Sequence, residues 1–355
     1  MAYAQLWHSV IPDKDGFMAC TIYDIAKKCN CSTTTVSKVL NNSGNISPSK
    51  AKEILEAAQE LGYVRSHSAM SLASSSKSSK LIGVYLHINE DRSISHELFS
   101  RIMNSFRKEV EKKGFDLCFI RNMDDKEKYG YDELLFSRGI DGVLVLSDNN
   151  YSDKFSNFIL NSKVPTVTFD IARSKYMVSS NNVESVAALV DYLSSKGHKR
   201  ICYVYPEEAG VSEQRKEGFL LGLKRNNIPF DKRMLVYGPY YGEESAKVAT
   251  DNALKSGINP TVIMYPDDYT AIAAIPYLRS LGYHVPGDIS VTGFDGVEIA
   301  TVMRPSIVTI KQDSDSLGSK AAELLLSLIG KGEIKEKHIT IPTTLFKGES
   351  VKFVE

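Results

Sequence analysis

This 355-residue chain has no apolar run approaching the roughly 20 residues of a membrane-spanning helix, so no helical anchor is expected. Its first twenty residues lack the basic start, apolar stretch and small-residue cleavage site of a secretory leader, and secretion is not expected either. Only five cysteines are present, an odd number without repeated spacing. They make no disulfide framework, and Cys29-Asn30-Cys31 is too short and too isolated for a zinc site. Reduced thiols in the cytoplasm are the simpler reading. Net charge is missing too: 43 basic residues balance 43 acidic ones, so no global field advertises nucleic acid. Catalytic signatures are equally scarce. There is no G-x-G-x-x-G after a strand, no G-x-x-x-x-G-K-[ST], no G-x-S-x-G and no H-E-x-x-H, and His96-Glu97 lacks a second histidine. Neither an enzyme nor a protein dependent on a cofactor or metal is expected.

The informative features are local. Residues 21–40, TIYDIAKKCNCSTTTVSKVL, hold two short helical patterns that meet at the polar step Asn30-Cys31-Ser32. Ile22, Ile25 and Ala26 mark an inward stripe on the first, with Asp24, Lys27 and Lys28 outside. Ser32 stands where an N-cap belongs. The second helix then turns Val36, Val39 and Leu40 inward and leaves Thr33, Thr34, Ser37 and Lys38 outside. This is a helix-turn-helix pattern, and where the partner is DNA its second helix enters the major groove. A third helix is expected between residues 47 and 61: Pro48 suits a first turn, Ile54, Leu55, Ala58 and Leu61 share a face, and Gly62 ends it. Charge agrees, since residues 18–80 carry seven lysines and one arginine against four acids.

At 43% hydrophobic the chain can fill more than one core. Residues 1–19 fit none of the later pattern and are expected to be a poorly ordered extension, from an upstream start or an appended stretch. A helix-turn-helix domain over 20–65 and a Ser-rich connector over 66–79 follow. From Leu81, short β-branched runs (LIGVYL, DLCFI, GVLVL, PTVTF, then ICYVY, MLVY, TVIMY, ISVTGF) alternate with amphipathic stretches. That rhythm predicts parallel sheets flanked by helices, and a break near 179–182 predicts two lobes within 80–355. In such an architecture a small ligand binds in the cleft between lobes.

Taken together these blocks resemble the LacI/GalR family of transcriptional regulators over residues 21–351. YDIAKKCNCSTTTVSKVLNNSGNISPSKAKEILEAAQELGY is similar to the family's DNA-binding head, while IDGVLVL, VPTVTFD, SSKGHKRICYV, QRKEGF, LGYHVPGDISVTGFD and RPSIVTIKQ resemble its core blocks in order. The resemblance implies an all-α helix-turn-helix head joined by a hinge helix to an α/β two-lobed sensor like the periplasmic binding proteins. One lobe is expected over about 80–178 and 312–330, the other over about 183–305 and 335–351. It also implies a homodimeric repressor on a palindromic double-stranded DNA operator, controlled by a sugar-like small-molecule effector in the cleft and independent of membranes. Two other functions stay open. One is a periplasmic-type solute-binding protein without a DNA role, which needs a leader and no head. The other is a regulator controlled by a partner protein.

Carried onto single residues, the resemblance makes Thr33, Thr34 and Lys38 the base readers, with Lys38 the expected guanine contact. Tyr23, Thr35, Ser37 and Asn41 suit phosphate oxygens, which position the helix without reading sequence. An ordinary solvated helix face is the plain alternative for the threonines, and Thr35 reads equally well as structural. Cys29 and Cys31 fall where relatives have small apolar residues, so they are expected in the core. In the connector, Leu72 matches a leucine that wedges into the minor groove, though a flexible linker also fits. The family's usual proline near Arg65 and asparagine near His67 are absent.

In the sensor, Arg215 opens the R-x-x-G-F block and matches an arginine that contacts effector in many relatives; its planar fork suits paired hydroxyls or a carboxylate. Asp295, in GFDG, follows a buried strand at the carboxyl edge where ligands collect. Tyr241 lies near the aromatic that stacks on ligand rings, and Asp268 belongs to an Asp-Asp pair where relatives often have Asn-Asp. For these two, lobe surface and a helix-end pairing of Asp268 with Arg215 are equal alternatives. After the first strand the family commonly has an aromatic pair. This chain has Ile94-Ser95-His96, so that stacking wall is expected to be missing. His198, in GHKR, reads as a helix-ending residue.

Overall fold

The computed structural model describes residues 20–40, 43–63, 78–87, 96–121, 130–147, 153–171, 173–206 and 210–355. The extension expected over 1–19, most of the expected hinge, Asn41, Leu72 and Ile94-Ser95 lie outside the described residues. Contacts divide the chain into two units, Met1–Ser79 and Lys80–Glu355.

The first unit contains α1 (Ile22–Lys28), α2 (Thr33–Leu40) and α3 (Pro48–Glu60). Asp24 closes the first turn of α1 by accepting from the Thr21 N–H at 2.8 Å and its hydroxyl at 2.6 Å. Ser32 caps α2 as expected, its Oγ accepting from the Thr35 N–H at 3.1 Å. Ile25, Ala26, Cys29, Val36, Leu40, Ile54, Ala57 and Ala58 form the core between the helices. Cys29 is therefore core, and Cys31 packs partly buried beside it. The face of α3 departs from expectation. Leu55 is 51% exposed and Leu61 is 37% exposed, while Ala57 is buried. Residues 54, 57 and 58 follow the i, i+3, i+4 stripe, whereas Leu55 stands about 100° round the helix from Ile54 and Leu61 lies past the last helical turn. Lys50 ties α3 to α1 by donating to the Cys29 carbonyl at 2.6 Å.

The second unit holds two six-stranded sheets. In sequence the first lobe contributes β1 (Leu81–His87), α4 (Glu97–Glu111), β2 (Asp116–Ile120), α5 (Tyr131–Ser137), β3 (Gly142–Ser147), α6 (Asp153–Asn161), β4 (Thr166–Phe169) and β5 (Met177–Ser180). The second lobe contributes α7 (Asn182–Ser195), β6 (Ile201–Tyr205), α8 (Gly210–Arg225), β7 (Leu235–Tyr237), α9 (Glu243–Lys255), β8 (Val262–Met264), α10 (Asp268–Ser280), β9 (Ser290–Asp295), α11 (Glu298–Val302) and β10 (Val308–Gln312). The chain then returns through α12 (Ser314–Ile329) and β11 (His338–Ile341), and crosses once more into β12 (Thr343–Phe346). Sheet orders are β11-β5-β4-β3-β1-β2 and β12-β10-β9-β8-β6-β7. All pairings are parallel except that of β12 with β10. Strands covered on both faces read as continuous apolar runs for that reason, and all five residues of β6 are buried.

The last crossing comes later than the sequence suggests. Residues 338–341 pair with β5 in the first lobe instead of joining the second, and Pro342 alone separates them from β12. Without β11 the outer edge of the fully buried β5 would leave backbone groups unpaired. Residues 308–312 likewise belong to the second sheet, beside β9.

Close helix contact explains the glycine of the R-x-x-G-F block. A Cβ on Gly218 would stand 2.3 Å from the Val183 carbonyl of α7, and one on Gly222 would stand 2.5 Å from the Val190 Cβ. Their absence lets α8 lie against α7 and brings Arg215 to the start of α7. Gly218→Ala is expected to cost about 1–3 kcal/mol through overpacking, read as a lower urea midpoint with an unchanged m-value.

Candidate nucleic-acid interface and ligand cleft

On the head, the outward face of α2 carries the expected readers. Thr34 and Lys38 are exposed, Thr33, Thr35 and Ser37 are half-buried, and Tyr23 on α1 is 71% exposed. The aliphatic stem of Lys38 runs over Gly44, whose φ of 82° suits glycine, and a Cβ there would stand 3.2 Å from the lysine Cδ. The lysine is thus supported along its stem with its charge outward. The Thr35 hydroxyl lies 2.9 Å from the Ser32 Oγ, so it belongs to the cap of α2.

In the second unit, strand order reverses between β1 and β3 and again between β6 and β8. Ligands of parallel sheets bind outside the carboxyl ends of strands at such points. Arg215, on the helix after β6, is 6% exposed. Its Nε donates to the Asn182 Oδ1 at 3.2 Å and its Nη1 to the Pro266 carbonyl at 3.0 Å. The guanidinium carbon lies 3.6 Å from the Phe294 ring centroid. Nη2 makes no hydrogen bond to any described residue. Asp295 ends β9 with a φ of 111° and is 6% exposed. Its Oδ1 accepts from the Gln312 Nε2 at 2.8 Å, and the Gln312 Oε1 in turn accepts from the Ser180 hydroxyl of the first lobe. Burial pushes the Asp295 carboxyl up to about 6 against the pull of Arg215. Asp170, just past β4, accepts from the Asn182 Nδ2 at 3.3 Å. Burial raises it to about 7, again opposed by Arg215. One buried guanidinium therefore serves two reluctant carboxylates from different lobes.

The Asp-Asp pair divides its work. Asp267 caps α10, accepting from the Thr270 N–H at 2.8 Å, and also takes the Tyr241 N–H at 3.1 Å. Asp268 is fully buried, and its Oδ2 accepts from the N–H groups of Gly296 at 2.7 Å and Val297 at 2.9 Å, tying down the turn between β9 and α11. Its contacts support the structural alternative, though not the pairing with Arg215, whose bonds go elsewhere. Tyr241 is half-buried and faces the first lobe.

What Tyr241 faces is His96, from the segment where the family's aromatic pair is absent. The imidazole is 4% exposed. Its ring centroid lies 5.1 Å from Phe99, 4.8 Å from Tyr241 and 5.2 Å from Tyr269. His96 Nε2 is 3.7 Å from the Asp295 Oδ2, and neither ring nitrogen has a hydrogen-bond partner. Burial lowers the imidazole to about 4, leaving it neutral at pH 7. Asp170, Asn182 and Gln312 were also missed; the signal for Asp170 was present, since VTFD repeats the strand-then-acid pattern of GFD. His198 is fully buried, with Nδ1 2.9 Å from the Thr261 hydroxyl and Nε2 3.1 Å from the Lys352 carbonyl, which ties the C-terminal segment to the second lobe. Among the described residues no cluster of side chains could hold a metal ion, and no helix is long and apolar enough to cross a membrane.

Residues 21–66 match the model of bacterial regulatory proteins of the lacI family, and residues 190–351 that of a periplasmic binding protein-like domain. Across 336 residues, 94% of this chain and 98% of the other, the sequence is 32% identical to the probable HTH-type transcriptional repressor ExuR of Bacillus subtilis (strain 168). The chain belongs to the LacI family. Its fold agrees with LacI-family structures. The Lac repressor dimer bound to operator and the anti-inducer ONPF superposes with a TM-score of 0.75 at 23% identity, covering 94% of this chain and 99% of that one. The transcriptional regulator CelR in complex with cellobiose gives 0.69 at 21% identity, covering 93% and 99%. In this LacI-family regulator the helix-turn-helix head is the DNA-binding element, and the two-lobed unit is the effector-binding one.

Proposed function

We propose that this regulator is a cytoplasmic homodimeric repressor whose operator binding is controlled by a sugar-like molecule held between Arg215 and Asp295. The unspent hydrogen-bonding capacity of the cleft carries the reading. Both His96 nitrogens are buried without a partner, where buried polar groups are normally satisfied, and among the described residues Arg215 bonds only through Nε and Nη1. A sensor controlled only by a partner protein would gain nothing from leaving them so. The cellobiose complex of a structural relative shows that this fold accommodates a carbohydrate in that protein. Closure of the two lobes on the ligand would move the first lobe, and with it the operator-binding heads.

On the DNA, Lys38 reads a base, with Thr33 and Thr34 beside it. Tyr23, Ser37 and Asn41 hold phosphates, Thr35 serves the cap of α2 instead, and Leu72 enters the minor groove. Lys38→Ala is expected to cost about 1–3 kcal/mol and to flatten preference at one position of each half-site. Fluorescence anisotropy on a set of singly substituted operators checks this, and an unchanged preference profile would reject the assignment. The reading as a whole is tested by the same assay with sugars added. Operator affinity that no sugar alters, but that a protein in host extract does, would favour control by a partner.

A further inference from the structure

The unpartnered His96 imidazole has a consequence for what the cleft selects. We propose that His96 is a ligand-contacting, specificity-determining residue. Together with the Asp295 Oδ2, it takes a hydroxyl group of a polyhydroxylated ligand. The inference rests on the reading of the cleft as an effector site and narrows it to one pair of atoms.

Three observations combine. The imidazole is nine-tenths buried with both nitrogens unsatisfied, a costly arrangement unless something else supplies the bonds. It is held in place by Phe99 of its own lobe and by Tyr241 and Tyr269 of the other. The separation of 3.7 Å between Nε2 and the Asp295 Oδ2 is too long for a direct hydrogen bond. It is also too short for an atom in line between them. Both nitrogens are closed off in this structure, so an oxygen reaches them only once the two lobes part; set to the side, about 2.8 Å from each, one oxygen then satisfies Nε2 and Oδ2 together. Asp295 cannot rotate to meet the imidazole without giving up Gln312, which holds its other oxygen at 2.8 Å.

The chemistry of that third atom is restricted. It must donate to the carboxylate and, with the proton on Nε2, accept from the imidazole. A hydroxyl does both with one oxygen. A ligand carboxylate or phosphate oxygen has no proton to offer Asp295, and a methyl group offers neither. No carboxylate or backbone group fixes the histidine tautomer, so the imidazole adapts to the hydroxyl it meets. A phenylalanine in the same cage could stack on a sugar ring but could not distinguish a hydroxyl from a hydrogen. The histidine can, because an analogue lacking the hydroxyl leaves buried polar groups unpaired.

The test uses the full-length protein and its His96→Phe, His96→Gln and Arg215→Ala variants. Melting temperatures are measured with and without D-glucose, D-galactose, D-ribose, D-glucuronate, D-galacturonate, hypoxanthine and guanine, each shift being read against that protein's own ligand-free value. The probe that stabilises the parent is then titrated calorimetrically beside its monodeoxy analogues. A sugar or sugar acid is expected to bind, with His96→Phe weakening it about tenfold or more and His96→Gln by less. One deoxy analogue should lose affinity for the parent but bind His96→Phe as well as the intact sugar does. Equal penalties for every deoxy analogue in parent and His96→Phe would overturn the role of His96. Stabilisation by a nucleobase alone, or by no probe, would overturn the polyhydroxylated class. If Arg215→Ala loses binding while His96→Phe does not, the effector site stands and the inference falls. If neither variant loses binding, the reading of the cleft falls as well.

Discussion

Replacing Arg215 with alanine should abolish the response to ligand and destabilise the sensor in the same stroke. The guanidinium is the buried cation beside both Asp170 and Asp295, and it also closes on the Asn182 side chain, the Pro266 carbonyl and the Phe294 ring. Removing one partner from a buried charge cluster typically costs about 3–5 kcal/mol. The size of the loss should depend on pH. Both carboxyls already sit above the ordinary carboxylate range, and without the arginine they move higher. A group whose folded pKa is raised loses stability as pH rises through that value, so the variant should fall furthest below the parent at about pH 8 and least at about pH 5. Thermal melts at the two values check the sign. A deficit that is larger in acid would mean that Arg215 is not compensating these acids.

Asp268→Ala is expected to be nearly as damaging for a different reason. It strands the N–H groups of Gly296 and Val297 in a fully buried turn. Each unsatisfied donor costs about 1–3 kcal/mol. Asp268→Asn keeps a carbonyl oxygen for both donors and removes a carboxyl that burial already holds well above its usual range. That variant should melt near the parent and retain its ligand response. Retained stability with a lost response would instead restore Asp268 as a ligand contact. The asparagine and alanine variants therefore separate the two readings that the sequence left equal.

Much of the architecture was legible because parallel strands buried on both faces announce themselves as unbroken apolar runs. LIGVYL, GVLVL and ICYVY could hardly be anything else. β5 and β11 were not legible. Each has four residues, and MVSS and HITI carry too few apolar positions to show a period. In the head, the core stripe of α3 was drawn through leucines because they are large, although the geometry places Ala57 there instead. Arg215 and Asp295 were singled out through their motifs. His96 was passed over because it replaces an aromatic and so registered as a loss. Only its neighbours, brought from 145 to 199 positions away in the other half of the fold, make it a gain. Neutral residues such as Asn182 and Gln312 carry no sequence signal at all, since an amide becomes specific only through what it bonds to.

The route of the chain through the sensor fixes how the molecule can be made. Three crossings leave each lobe assembled from separated stretches, and the final edge strands of the two sheets are consecutive, with Pro342 between them. During synthesis neither lobe can be completed before the ribosome has nearly finished both, because residues 338–346 supply the last strand of each. A splice at any single position would therefore divide the lobes wrongly. Exchanging one lobe for that of another protein would take cuts at all three crossings.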